Sequence, residues 1–222
     1  MNTAFRPSSN RPAPFVLAIA GLCALLEVAF TLADSPLLDF PGLRQTAMVL
    51  GAFWPRLLQD WLPVYPGQPA AMFVTYAFLH ANFMHMLFNM LILLHLGREA
   101  VARLGQSGFV LAYLVCAAGG AATFYAFDSS GVPMLGASGA VFGFFGTSVF
   151  WDVQARRARG LSLSQPLRLT LGLVVMNLLL LPLVGGMLAW QAHLGGFVTG
   201  LALAWVVTPA PTDRHRPDPG NR

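Results

Sequence analysis

Five side chains able to do chemistry stand in stretches that are otherwise apolar. His80, His85 and Asn89 fall within "TYAFLHANFMHMLFNM", Ser138 within "MLGASGAVFGFFG" and His193 within "AWQAHLGGFVTG". A serine hydroxyl becomes a nucleophile when a neighbouring base takes its proton, and an imidazole with an ordinary pKa of about 6.5 suits that task at neutral pH. A competing reading of Ser138 is packing alone. Gly139 and Gly143 form a small-xxx-small pair of the kind that lets membrane helices meet backbone to backbone. Which reading holds depends on where the surrounding helices place these groups.

The 222 residues are 56% hydrophobic and 10% charged, with a mean hydropathy of +0.62. Soluble domains carry about 25% charged residues, so this is the composition of a membrane protein. All thirteen basic residues are arginines. The lack of lysine excludes a Schiff-base enzyme and a serine–lysine dyad. The arginines are dispersed and the net charge is only +4, which argues against a nucleic-acid surface. Cys23 and Cys116 fall in apolar runs, where neither a stabilising disulfide nor a redox pair is expected.

Six apolar runs read as long enough to cross a membrane, at about 15–33, 73–96, 109–127, 138–151, 167–183 and 189–207. Glu27 interrupts the first, which is also long for a signal peptide, so it reads as a retained span. Arg6 and Arg11 precede span one, and Arg98 and Arg103 follow span two. Arg156, Arg157, Arg159 and Arg168 lie between spans four and five, while the connections 128–137 and 184–188 hold none. The positive-inside rule then makes both termini cytoplasmic, and spans two, four and six run from outside to inside. The expected architecture is an all-α membrane domain over 15–207. A cytoplasmic tail over 1–14 precedes it and a disordered cytoplasmic tail over 208–222 follows. The outer segment 34–72, with Trp54 and Trp61 among apolar residues at helical spacing, is expected to lie as short helices in the interface.

With this topology all five polar residues lie in the outer half of the membrane. Span four has fourteen residues before Asp152. It covers only about 21 Å of a core of about 30 Å, so Ser138 should lie on the order of 10 Å below the outer surface. Gly139-xxx-Gly143 is matched by Gly196-xxx-Gly200 on span six, which runs parallel to span four. If these faces pack, Ser138 and His193 are offset along the axis by about 3 Å. Packing and chemistry are then compatible. Glu99 and Asp152 lie at the inner end and nothing brings Glu27 to His193, so a Ser–His dyad is expected rather than a triad. His85 and Asn89 share one helical face and can donate hydrogen bonds into the same cavity, beside the free N–H groups that open span four. His80 stands near the mouth. The spacing of the histidines and the lack of a nearby carboxylate or cysteine argue against a metal, and no cofactor is expected.

The motifs His80-x4-His85-x3-Asn89, Gly136-x-Ser138-Gly139 and His193-x2-Gly196-x3-Gly200 resemble those of the rhomboid family of intramembrane serine proteases, bacterial six-span type. The resemblance is close over 73–207 and loose over span one and the outer segment. It implies a six-transmembrane-helix rhomboid-like bundle with a long outer loop between spans one and two. It makes Ser138 the nucleophile and His193 the base, with His85, Asn89 and the Ser138 amide as the oxyanion hole and His80 beside them. Gly136, Gly139, Gly196 and Gly200 would support the site. Phe142 would stack on His193 where many members carry tyrosine. The implied reaction is endopeptidase cleavage in or near the transmembrane segments of membrane-protein substrates. The implied setting is a bacterial inner membrane, with the site opening to the periplasmic side.

Besides Phe142, this chain departs from the family pattern at two places. Ala71 and Met72 stand where many bacterial members carry Trp-Arg, and Val101 stands where a glutamate is usual. The alternative function is a rhomboid-like pseudoenzyme that binds transmembrane segments without cutting them. Such proteins generally lack the serine or the histidine, and both are kept here. A small transporter would need polar groups near the midplane and an inverted repeat, and neither is visible. The sequence does not fix a gate; span five, with Pro182 and Gly185-Gly186, and the loop after it are one candidate to move for substrate entry.

Overall fold

The computed structural model describes residues 13–36, 40, 42–127, 131–183 and 188–208. Residues 1–12 of the tail expected over 1–14, with Arg6 and Arg11, residues 209–222 of the tail expected over 208–222, with Arg214, Arg216 and Arg222, and Gly185-Gly186 lie outside them. Among the described residues the fold is all-helical. The helices are α1 (Pro14–Ala33), α2 (Leu43–Gly51), α3 (Gln68–Thr75), α4 (Phe83–Phe127), α5 (Ser138–Ala158), α6 (Ser164–Leu183) and α7 (Trp190–Val207). Its β-type pairing is one antiparallel bridge between Phe53 and Met134.

Spans two and three are the two arms of α4. Its 45 residues would extend about 67 Å if straight, more than twice a hydrocarbon core of about 30 Å. Gly105 breaks it, with φ 72° and ψ 177°, a region open essentially to glycine alone. The stretch expected to be an inner loop, 97–108, is therefore helix on both sides of one broken residue. The α1, α4, α6 and α7 helices are long and apolar enough to cross a membrane on composition alone. The more polar α5 instead sits at the centre, packed against α4 and α7. It also runs seven residues beyond the expected end at Trp151, to Ala158. A Schellman pair closes it: the Leu161 N–H donates to the Arg156 carbonyl and the Gly160 N–H to that of Arg157.

One end of the bundle is knit by polar contacts. Phe15 N–H donates to Gln106 beside the α4 break, and Ser148 donates to Glu99 at 2.8 Å. The Trp151 indole donates to Thr208 while Arg103 lies 4.7 Å over its ring. Arg156 binds Asp152, the Ser162 carbonyl and Gln165, fastening the start of α6 to the end of α5. Beyond that fastening α6 is loosely held. Its apolar stretch is only 11% buried. Cys23 and Cys116 are buried and free.

The segment expected to lie outside does form short helices; α2 has no buried residue, while Phe53 and Met72 anchor the segment in the bundle. Phe53 is fully buried and meets Phe73, Tyr76 and Phe124 edge to face. Met72, where the family pattern has arginine, is also fully buried. A different arginine anchors the segment. Arg44 on α2 grips both oxygens of the buried Glu27 on α1, each at 3.0 Å, and also Asp34 at 2.9 Å. Its guanidinium further donates to the backbone carbonyls of His80 and Ala81. A buried carboxylate is tolerated only when paired in this way.

Candidate active site

Two glycine contacts set α5 against α7. A Cβ on Gly196 would fall 1.9 Å from the Gly139 carbonyl oxygen, and one on Gly200 would fall 1.9 Å from that of Gly143. Real side chains do not approach so closely, so only bare Cα atoms permit this register. Gly139 therefore faces Gly196, and Gly143 faces Gly200. Ser138 is the first residue of α5, and His193 stands one turn before its glycine pair on α7.

The imidazole of His193 lies flat on Phe142, with centroids 4.2 Å apart and planes within 3°. Phe142 is four residues after Ser138 and hence on the same helical face. His193 is buried and Ser138 half-buried. The Nδ1 atom of His193 lies 2.5 Å from Asn177 Oδ1 on α6. Among the described residues no hydrogen bond joins the Ser138 hydroxyl to His193.

The loop before Ser138 is held from below and from the side. Tyr76 and Ala77 belong to a short 3-10 turn ahead of α4, and two buried tyrosine hydroxyls pin it: Tyr76 donates to the Ala117 carbonyl at 2.8 Å and Tyr113 to the Ala77 carbonyl at 2.7 Å. The turn in turn accepts the Gly136 N–H on the Tyr76 carbonyl. Phe53 and Met134 exchange both backbone hydrogen bonds, tying the outer segment to the same loop.

His80 is in this entering chain, not on span two, because α4 starts only at Phe83. Its Nε2 accepts the Ala137 N–H at 3.4 Å, and its ring stands edge-on to His85 at 5.2 Å. His85 in turn packs on Gly136. Asn89 is buried and gives one amide hydrogen to the His85 carbonyl at 2.8 Å, which leaves the other for a further acceptor. Residues of the three motifs are thus linked by contact: His80 meets Ala137 and His85, His85 packs on Gly136 two residues before Ser138, and His193 stacks on Phe142 one turn after it.

Sequence reasoning missed four contributors. Asn177 is a lone amide in "VVMNLLL", and its cost in an apolar span was the available signal. Glu27 was visible as a buried acid, but nothing in the chain named Arg44 as its partner. Tyr76 and Tyr113 gave no signal, because their acceptors are backbone carbonyls.

A family model for the rhomboid domain matches residues 68–210. RHOMBOID-like protein 2 of Arabidopsis thaliana is 30% identical over 159 residues, covering 68% of this chain and 47% of that protein. RHOMBOID-like protein 5 of the same plant is 28% identical over 205 residues, 85% of this chain and 59% of that protein. RHOMBOID-like protein 4 is 33% identical over 138 residues, 60% of this chain and 33% of that protein. The chain spans about half the length of these relatives. The match takes in all three polar motifs and the helices that carry them, and on that extent the chain belongs to the rhomboid family of integral membrane proteins.

Proposed function

We propose that this protein is an intramembrane serine endopeptidase that hydrolyses peptide bonds in or near the transmembrane segments of its substrates. The observation that carries the reading is the glycine-to-glycine contact of α5 and α7, which brings Ser138 at a helix N-terminus to the end of the bundle that holds His193. In this reading the Ser138 oxygen attacks the scissile carbonyl as His193 Nε2 takes its proton. His193 then gives that proton to the leaving amine, and water attacks the acyl-enzyme by the same route. The oxyanion is received by the Ser138 N–H at the positive end of α5, by the second Asn89 amide hydrogen and by His85. His80 holds the Ala137 amide and so shapes the loop. The arginine pattern supports cytoplasmic termini and a site opening to the outer side, periplasmic if the membrane is a bacterial inner membrane.

The second reading is a rhomboid-like protein that binds transmembrane segments without cleaving them. The observation on its side is that Ser138 and His193 are not hydrogen-bonded to each other here. Catalytic hydrogen bonds are often long without substrate and tighten in the complex, so the protease is preferred. Purified protein with a labelled single-span substrate in liposomes separates the two. The protease reading expects product from the unaltered protein and none from Ser138→Ala or His193→Ala. Bound but intact substrate in all three would leave the binding protein.

A further inference from the structure

Hydrogen bonds at Asn177 assign the proton on His193. The Asn177 amide nitrogen donates to the Leu173 carbonyl at 2.8 Å. A carbonyl only accepts, so that atom is nitrogen and the atom facing His193 is the oxygen Oδ1. An oxygen 2.5 Å from Nδ1 in turn requires Nδ1 to carry the hydrogen. The lone pair of a neutral ring is then left on Nε2, the nitrogen that a base must present. Phe142 fixes the plane of the ring by stacking, but a stacked ring can still turn over or exchange tautomers within that plane. The Asn177 contact removes both freedoms.

We propose that Asn177 is a positioning residue for the base, accepting the His193 Nδ1–H and thereby presenting Nε2 to Ser138. The proposal rests on the Ser138–His193 reading above and adds a third member, carried on a different helix. That helix is α6, fastened to α5 at its start by Arg156. Farther along, a cavity of about 520 Å³ lined by Phe142, Leu173, Asn177, Trp190, His193 and Phe197 separates α6 from its neighbours. Among the described residues the Asn177–His193 contact is the hydrogen bond that joins α6 to α7. The orientation of the base therefore depends on where α6 is seated, and displacing α6 from α7 releases the ring.

The test compares unaltered protein with Asn177→Leu and Asn177→Asp in liposomes, by cleavage kinetics and by nitrogen NMR of 15N-histidine-labelled protein. The His193 ring of unaltered protein is expected as the Nδ1–H tautomer. Leucine keeps the volume and removes the acceptor, so kcat should fall on the order of tenfold with KM within about twofold. Aspartate keeps an acceptor at the same place and should recover most of kcat. An Nε2–H tautomer in unaltered protein, or full kcat in Asn177→Leu, overturns the proposal. A loss that aspartate fails to recover, with both variants melting as the unaltered protein does, makes Asn177 a packing residue and also overturns it. If the unaltered protein cleaves nothing, the protease reading falls, and the tautomer measurement still decides the role of Asn177.

Discussion

The His85 ring rests on the bare Cα of Gly136: a Cβ there would lie 2.7 Å from His85 Cε1. Gly136 also has φ 128°, a conformation that L side chains rarely adopt. Gly136→Ala therefore pushes His85 away and strains the loop that delivers Ser138. Cleavage should drop on the order of 100-fold, the cost of misplacing a reacting group by about 1 Å. The helical circular-dichroism signal should stay unchanged. Activity within threefold of normal would mean that His85 is not held by this contact.

Gly196 is a second place where one methyl group decides the geometry, because its Cβ would meet the Gly139 carbonyl oxygen at 1.9 Å. Gly196→Ala must separate α5 from α7 or shift their register. A destabilisation of about 1–3 kcal/mol is expected from overpacking, together with loss of cleavage. Gly172, with nothing within 4 Å of its Cβ position, is the control, and Gly172→Ala should be silent in both readouts. A melting temperature equal in the two variants would contradict the packing described here.

Glu27 and Arg44 form the anchor of the outer segment. The Glu27 side chain is 1% exposed and that of Arg44 20% exposed. Removing one partner leaves the other charge poorly compensated. Arg44→Leu should cost about 3 kcal/mol, the low end for breaking a buried pair because Arg44 keeps some solvent. Combining Arg44→Leu with Glu27→Leu should recover much of that loss. Additive losses in the double variant, read from thermal melts, would show that the pair does not act as a unit.

Gly105 divides one long helix into two spans. Gly105→Ala keeps open space around the new methyl group but forbids the backbone, at a cost of about 1–3 kcal/mol. The melting temperature should fall while the kinetic constants of the remaining folded protein hold. A neutral or stabilising substitution would show that the break does not need glycine.

What could be read from the chain divides along a physical line. Features set by local pattern were legible. The arginines fall in the connections, the paired GxxxG faces state the register of α5 on α7, and polar groups in apolar runs mark the candidate site. Features set by partners distant in sequence were not. Nothing near Glu27 names Arg44, and no periodicity foretells that Phe53 pairs with Met134 across 81 residues. His80 looked like part of span two because the apolar run begins at Phe73, yet α4 starts only at Phe83, where the Asn82 side chain caps it by accepting the His85 N–H. Hydropathy separates spans two and three at 97–108 but does not show that helix continues on both sides of Gly105. Asn177 was overlooked for a different reason. A lone amide in a span signals only that it has a partner, and His193 is sixteen residues away on another helix.

Covalent labelling tests the activation of Ser138 by His193 without any choice of substrate. A fluorophosphonate probe, followed by peptide mass spectrometry, reads both the site and the rate of modification. The unaltered protein should be modified at Ser138, and His193→Ala should slow that reaction on the order of 100-fold or more, as removing a general base does. A Ser138 that stays unmodified, or one modified equally fast with and without His193, would contradict it.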